Sequence, residues 1–237
     1  MAASNLEGLG RRAVHGTMIT FSAHSARMII TVAGSAILAR LLAPQDFGLI
    51  AMATTVTAFV GLFSDLGLSA ATVQRQQITH GLVSTLLTLN LIAGVVLMAL
   101  AAVLAPVSAW LFGDPRLTLL TICLSLSIPV TAMGTQHGAL LGRAMRWVPA
   151  QAATLFGQVV GLICAILAIH FWHISYWGLV VQQMTGALAS TALLWRACDW
   201  RPTLMLDWQG ATSEIRFGVG ITSFSFINYF HRQLDNI

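Results

Sequence analysis

Six long apolar stretches follow one another along this chain, and their length limits the folds that are open to it. The stretches cover residues 16–38, 48–71, 83–111, 117–141, 149–171 and 174–195. A helix needs about 20 apolar residues, at about 1.5 Å each, to cross about 30 Å of hydrocarbon. A helix in a soluble core has no need of that length. The sequence therefore predicts an all-α fold, a polytopic transmembrane bundle of six helices followed by the start of a seventh from Phe217.

The composition agrees with a membrane protein and excludes other classes. Hydrophobic residues make up 57% of the chain and charged residues only 8%, against about 25% charged residues in ordinary soluble domains. The net charge is +4, but the twelve basic residues are all arginines and no more than two are adjacent. Nucleic acid is therefore not an expected partner. The segments between the stretches are too short to hold a separate soluble domain.

The arginines are unevenly divided between the two ends of the predicted spans. If the N-terminus is cytoplasmic, the opposite side holds only Arg40 and Arg116. The cytoplasmic segments then hold Arg11, Arg12, Arg75, Arg143, Arg146, Arg196, Arg201 and Arg216. Because basic residues concentrate in cytoplasmic loops, we expect a cytoplasmic N-terminus. A secretory signal peptide over the first stretch is disfavoured, since the run is too long and contains His24 and Arg27.

Arg27 is the charged residue that most needs an explanation. It lies about eleven residues into the first stretch, near the middle of the membrane. An ionisable group at that depth is costly and marks a protein-lined or water-filled interior. Small or polar residues continue from it along one helical face, at Gly16, Thr20, His24, Thr31 and Gly34. We interpret Arg27 as functional and keep an ion pair with Asp65, the only acid in the six stretches, as the structural alternative.

Three further stretches carry similar polar faces. They comprise Thr54, Thr57, Gly61, Asp65 and Ser69 in the second stretch, Gln151, Thr154, Gln158, Gly161 and Ala165 in the fifth, and Gln182, Gln183, Gly186 and Ser190 in the sixth. The Thr, Gly and Ser positions have a simpler explanation. Small and hydroxyl-bearing residues let membrane helices approach closely and hydrogen-bond, which needs no substrate.

The histidines allow two further hypotheses. His15 and His24 could carry protons in a coupled transporter, because histidine titrates near neutral pH. His170 and His173 have a spacing that a metal could use. With Trp172 beside them and no third ligand, an aromatic belt at the membrane interface is the favoured interpretation.

No arrangement of catalytic residues appears in the sequence. It contains no phosphate-binding glycine loop, no paired carboxylates and no nucleophile with a partner at motif spacing. Cys123, Cys164 and Cys198 lack metal-ligand spacing and are interpreted as free thiols. We therefore predict a protein that is not an enzyme and needs no metal or cofactor. Pro129 is expected to kink the fourth stretch.

Two sequence blocks resemble a known family of transporters. One is Leu38-Ala39-Arg40-Leu41-Leu42-Ala43-Pro44-Gln45-Asp46-Phe47-Gly48, and the other is Asp65-Leu66-Gly67-Leu68-Ser69-Ala70-Ala71-Thr72-Val73-Gln74-Arg75. They are similar to blocks of the Wzx-type polysaccharide flippases of the multidrug/oligosaccharidyl-lipid/polysaccharide exporter superfamily, in particular its colanic-acid and teichuronic-acid exporter branch. Residues 136–143 and 232–237 support the resemblance. In the first block, Pro44 is expected to stop the first helix and Asp46 to cap the second.

The resemblance implies two six-helix lobes around a central cavity. Residues 1–15 would be a cytoplasmic segment, 16–197 the first lobe, 198–214 a cytoplasmic linker and 215–237 the truncated start of the second lobe. The chain then looks like the N-terminal part of a longer protein. Because alternating access moves one lobe against the other, the missing C-terminal lobe is an expected partner.

The function implied by the resemblance is translocation of an undecaprenyl-pyrophosphate-linked oligosaccharide across the bacterial inner membrane for polysaccharide export. Arg27 and Arg232 would attract the pyrophosphate, since guanidinium groups bind phosphate oxygens in pairs. Arg232 could instead pair with Asp235. His24, Asp65 and Gln158 would line the same cavity. The implied partners are the lipid-linked oligosaccharide and membrane lipids, with the polysaccharide polymerase machinery left open.

Three other functions stay open. Another transporter of the superfamily would flip peptidoglycan lipid or export drugs, although a drug exporter would favour acids over arginines in its cavity. A membrane enzyme acting on lipid-linked sugars would be expected to show long periplasmic loops, and those predicted here are short. The third alternative is a truncated lobe that does not transport by itself.

Overall fold

The computed structural model of the protein describes residues 2–61, 63–65, 67–75, 77–172 and 174–203, with side chains from residue 16 onward. Within these residues the fold consists of eight α-helices and contains no strand. They are α1 (Ala2–Leu41), α2 (Pro44–Gly61), α3 (Leu68–Gln74), α4 (His80–Phe112), α5 (Arg116–Ser125), α6 (Ser127–Arg143), α7 (Trp147–Trp172) and α8 (Trp177–Ala197). The predicted all-α class is confirmed. The predicted start of a second lobe and most of the predicted linker lie outside the described residues.

Helices occupy all the predicted spans, and the protein is a polytopic helical bundle. Four segments of the described chain are long and apolar enough to cross a membrane: Gly16–Leu41, His80–Phe112, Arg116–Arg143 and Trp147–Trp172. The third of these combines α5 and α6. The remaining predicted spans correspond to α2 and α8. These helices are less apolar because α2 begins with Gln45 and Asp46, and α8 carries Gln182 and Gln183.

The prediction that residues 48–71 form one continuous span is wrong. α2 ends at Gly61, and α3 begins only at Leu68. Gly67, just before α3, has a φ of 67°, which glycine adopts without steric cost. The carboxylate of Asp65 accepts hydrogen bonds from the backbone N–H of Ser69, at 3.2 Å, and from the Ser69 hydroxyl. Asp65 therefore caps the start of α3 instead of lying inside a transmembrane helix.

Pro129 interrupts the fourth predicted span, as its residue type predicts. α5 ends at Ser125 and α6 begins at Ser127. Because proline has no N–H to donate, the carbonyl of Ser125, four residues before it, loses its usual helical partner. Local hydroxyls hold this break together: the Ser127 hydroxyl donates to the Leu124 carbonyl at 2.7 Å.

α7 and α8 pack closely because glycines line their contact. A Cβ atom on Gly157 would lie 2.6 Å from the carbonyl oxygen of Gly186. One on Gly161 would lie closer still to the carbonyl oxygen of Gln182. Since real Cβ atoms do not approach backbone atoms so closely, these positions require glycine. The packing role predicted for Gly161 and Gly186 is confirmed.

α1 runs parallel to α7, because contacts advance together along both helices. Near the start, the position of a Cβ on Gly16 lies against Trp147; further along, that of Gly34 lies against Leu162. At the far end, Leu38 belongs to a buried apolar cluster with Ala165. The other members and neighbours of this cluster are Leu42, Phe47, Leu162, Ile166, Ile169 and Leu179.

The Leu38–Gly48 block connects α1 to α2 and packs against α7 at one end of the bundle. α1 ends at Leu41, and Pro44 is the first residue of α2, where its missing N–H costs nothing. Phe47 turns inward onto the apolar cluster that contains Leu38 and Ala165.

We expect Gly161→Ala to destabilise the bundle by about 1–3 kcal/mol, the usual cost of forcing extra carbon into a packed contact. The added methyl group would meet a backbone oxygen of α8, which cannot move aside as a flexible side chain could. Thermal unfolding of the purified protein in detergent, followed by circular dichroism, measures this effect.

Gly138→Ala in α6 is the matched control, because nothing lies within 4 Å of where its Cβ would stand. It should leave the melting temperature unchanged or raise it, since alanine favours helix over glycine. Equal melting temperatures for the two variants would contradict the close α7–α8 packing.

Candidate functional site

Arg27 lies on the side of α1 that faces α7 and keeps most of its hydrogen-bonding capacity unused. Its side chain is half-buried. One terminal nitrogen lies 3.5 Å from Oε1 of Gln151, at the long limit of a hydrogen bond. The Nε atom is buried and has no partner in the described part of the chain. A guanidinium with unused donors inside an apolar helix is suited to receive an anion.

The alternative ion pair between Arg27 and Asp65 is not formed. Asp65 accepts hydrogen bonds from Ser69 within its own turn. The close ion pair found among the described residues joins Arg116 to Asp114, at 2.8 Å, in an exposed turn. That contact lies between α4 and α5, at a different place from Arg27.

Gln158 on α7 is brought next to Arg27. Its Nε2 donates to the Thr31 hydroxyl at 2.6 Å and to the Arg27 carbonyl at 3.3 Å. Its Oε1 is buried and has no partner among the described residues. Of the five residues predicted to form the site, the structure therefore places Arg27 and Gln158 together.

Two grooves meet at Gln158, between four helices for which polar faces were predicted. α2 contributes Ile50 and Phe47 to them and none of its predicted polar residues. One groove, of about 400 Å³, lies between α2, α7 and α8, and a smaller one, of about 110 Å³, lies between α1, α2, α7 and α8. Gln158, Leu179 and Gln182 line both. The apolar residues Leu38 and Phe47 line the smaller groove where it approaches the end of the bundle.

His24 lines a different groove. This groove, of about 630 Å³, lies between the first half of α1 and the start of α7, and Phe21, Met145 and Trp147 give it a mainly apolar wall. His24 itself is exposed and stands about one turn from Arg27. The described residues contain no cluster of His, Cys, Asp or Glu able to hold a metal. His15, whose side chain is not described, and His173 and Arg232, which lie outside the described residues, stay untested.

The Asp65–Arg75 block and residues 136–143 contact each other, a structural role that the spacing of their residues did not indicate. The Thr72 hydroxyl donates to Oε1 of Gln136 at 2.6 Å, within the core. Arg143 donates to the carbonyls of Thr72, at 3.1 Å, and Val73, at 3.3 Å, and also to that of Arg75. These bonds dock the short helix α3 onto α6. The sequence signal for this contact was the polar residue Gln136 within an apolar helix and Arg143 at the end of that helix.

His137 fixes the segment that follows α8. Its ring is fully buried, stacked on Trp195 at 4.4 Å between ring centroids and edge-on to Trp200 at 5.1 Å. Thr203 approaches α4, where its backbone N–H donates to the Ser84 hydroxyl at 3.1 Å. The start of the predicted linker is therefore packed on the bundle as far as residue 203.

Charged and aromatic side chains also make contacts near the two ends of α4. Arg116 donates to Asp114, and this hydrogen bond lowers the pKa of the Asp114 carboxyl. At the other end of α4, His80 lies 5.7 Å from Trp200, and Arg201 lies over Trp195. Because α4 spans 33 residues, the two ends are about 50 Å apart along the helix.

Comparison with known proteins identifies the relatives of this chain. The family described as "Polysaccharide biosynthesis protein" matches residues 37–237. The lipopolysaccharide biosynthesis protein WzxC of Escherichia coli K12 is 25% identical over 202 residues, which cover 85% of this chain and 41% of the relative. The succinoglycan biosynthesis transport protein ExoT of Rhizobium meliloti is 27% identical over 193 residues, covering 81% of this chain and 39% of the relative.

A relative from Bacillus subtilis extends the set. The teichuronic acid biosynthesis protein TuaB of Bacillus subtilis is 27% identical over 183 residues, covering 76% of this chain and 38% of the relative. The chain thus spans about 40% of the length of these curated relatives. No solved structure matches it.

Proposed function

Because this chain belongs to the polysaccharide biosynthesis protein family, we propose that it takes part in moving a lipid-linked oligosaccharide, carried on undecaprenyl pyrophosphate, across the bacterial inner membrane for polysaccharide export. The relatives WzxC, ExoT and TuaB are named for the biosynthesis of three different polysaccharides, and ExoT is named as a transport protein. A transporter role accommodates this variety, since the surface polymers differ while the task of crossing the membrane is shared.

The observation that carries the proposal is the state of Arg27. This guanidinium lies within an apolar helix, has one long hydrogen bond to Gln151 and a buried Nε without a partner in the described chain. A cation held only for structure would be expected to meet a matched acid, and Asp65 is used elsewhere. A pyrophosphate would supply both the missing charge and several acceptor oxygens.

The same observation separates the proposal from a drug exporter. Such a transporter would need acids to attract cationic compounds, whereas no acid lines the three grooves described here. The charged residue that contacts Gln158 is Arg27. We propose that residues 16–197 form one lobe of the transporter and that the second lobe, with Arg232 where it begins, completes the cavity.

We also propose that the N-terminus is cytoplasmic. Among the described residues, Arg75, Arg143, Arg146, Arg196 and Arg201 lie toward one end of the bundle, and Arg40 and Arg116 lie toward the other. This asymmetry favours the first end as the cytoplasmic one.

A single cysteine at position 116, in a variant whose three native cysteines are replaced by serine, should react with an impermeant maleimide added outside spheroplasts. Arg116 is exposed, with 58% of its side chain accessible. A cysteine replacing the exposed Arg146 is the control and should react only after permeabilisation. The reverse labelling pattern would contradict the proposed orientation.

Arg27→Ala should reduce polysaccharide export at least about tenfold, the loss expected when a charged hydrogen-bonding group is removed. Arg27→Lys should retain part of the activity, because the positive charge stays while the paired donors are lost. Export is measured as surface polymer in cells that depend on this protein, with membrane levels checked by immunoblot.

Asp65→Asn is the matched control, because it also removes a charge from the predicted site but leaves a side chain that caps helices well. It should keep export near the wild-type level. Equal loss of protein in the Arg27→Ala and Arg27→Lys variants would instead favour a structural role for Arg27, and normal export by Arg27→Ala would refute the proposal.

A further inference from the structure

The groove between α2, α7 and α8 differs in its chemistry from the cationic site at Arg27. Its lining carries no charged residue. Side-chain amides and hydroxyls provide its polar groups, and Ile50, Leu179 and Ala187 provide apolar surface. The polar members are Thr154, Gln158, Gln182, Gln183 and Ser190. A groove of this composition can make many hydrogen bonds without selecting a charged ligand.

The hydrogen bonds already made within the protein determine what the groove still offers. The hydroxyl of Thr154 donates to the Ala150 carbonyl at 3.3 Å, and that of Ser190 donates to the Ala187 carbonyl at 3.0 Å. Each hydroxyl has therefore used its single donor and presents only acceptor capacity. Gln158 likewise uses Nε2 on α1 and leaves Oε1 without a partner in the described chain.

Gln182 is the amide that remains available for a ligand. Its side chain is half-buried and makes no hydrogen bond with the residues that the structure describes. The neighbouring Gln183 instead donates to the Ser127 hydroxyl at 3.1 Å. Gln182 thus offers both of its N–H donors and its carbonyl oxygen to the groove. Gln183 keeps one N–H, and the hydroxyls of Thr154 and Ser190 present acceptors.

A groove whose free polar groups are mostly hydrogen-bond acceptors favours ligands that bring donors. A phosphate or carboxylate brings only acceptors and would find few donors there, while each hydroxyl of a sugar brings one donor and two acceptor sites. Gln158 connects this groove to Arg27, since its Nε2 lies 3.3 Å from the Arg27 carbonyl. That contact is to the backbone of Arg27; the guanidinium is directed at Gln151, about two helical turns before Gln158 on α7. The proposed anion site and the groove therefore follow one another along α7.

We propose that the α2–α7–α8 groove is a subsite for the uncharged sugar next to the pyrophosphate, with Gln182 and Gln158 as the residues that read its hydroxyls. The proposal rests on the proposed function, because it places the pyrophosphate at Arg27. The sugar unit would lie beyond Arg27 toward the apolar cluster of Leu38 and Phe47. A sugar carrying a carboxylate would lose this interaction, because the groove offers that group no cation.

The test compares three probes binding to the full chain in lipid nanodiscs. They are a short prenyl diphosphate, the same compound carrying one neutral hexose on its diphosphate, and the matching hexuronic acid compound. The wild-type protein should bind the hexose compound about fivefold more tightly than the bare diphosphate, as one or two net hydrogen bonds predict. The hexuronic acid compound should show no such gain.

Gln182→Met keeps the length of the side chain and removes its hydrogen bonds, so it should lose most of the preference for the hexose compound over the bare diphosphate, with Gln158 retaining the rest. Leu188→Met is the matched control, because it introduces the same residue at an exposed position of α8 outside the groove. It should keep the fivefold preference of the wild-type protein.

The outcomes separate the two proposals. Binding of the bare diphosphate without any gain from the hexose, or a full gain in the Gln182→Met variant, would overturn the sugar subsite and leave the pyrophosphate site standing. Failure of the wild-type protein to bind any of the three probes would overturn the proposed function itself. An equal gain from the hexuronic acid would show that the groove does not select uncharged sugars.

Discussion

An arginine inside the apolar part of a membrane helix needs acceptors around it, and the arrangement of α1 against α7 depends on that need. Placing such a residue at the centre of a bilayer costs about 2.5–3.5 kcal/mol on insertion scales. On α7, Oε1 of Gln151 is the acceptor near the guanidinium, at 3.5 Å, while Gln158 donates to the backbone carbonyl of Arg27. The match is incomplete, since Nε stays buried without a partner in the described chain. This shortfall is the observation on which the proposed anion site rests.

The rest of the bundle holds these side chains in place. Gly157 and Gly161 allow α8 to lie directly against α7, so that Gln182 reaches the same groove as Gln158. The Leu38–Gly48 block packs Leu38, Leu42 and Phe47 against α7 and ends the polar surface with an apolar cluster. At the opposite end, Arg143 and Gln136 dock α3 onto α6. The position and shape of the grooves therefore depend on the small and apolar residues that pack these helices together.

Much of this arrangement could be predicted from the sequence, because length and helical periodicity are local properties. The helices and the polar faces of α1, α7 and α8 follow from the positions of Arg27, Gln158 and Gln182 in apolar runs. The turn at Asp65 could not be found in this way, since average hydropathy does not distinguish a capping carboxylate from one inside the membrane. The contact between Thr72 and Gln136 joins residues far apart in sequence, which no spacing rule reveals. The free acceptors of the α2–α7–α8 groove also depend on which hydroxyls donate to their own helix.

The most direct test of the central claim is a single-particle structure of the complete protein with a prenyl diphosphate bound in a nanodisc. If Arg27 is the pyrophosphate site, density for the phosphate groups will lie within hydrogen-bonding distance, about 3 Å, of the guanidinium, which will have turned away from Gln151. Phosphate density elsewhere, with Arg27 still directed at Gln151, would contradict that claim and make the arginine a part of the α1–α7 packing.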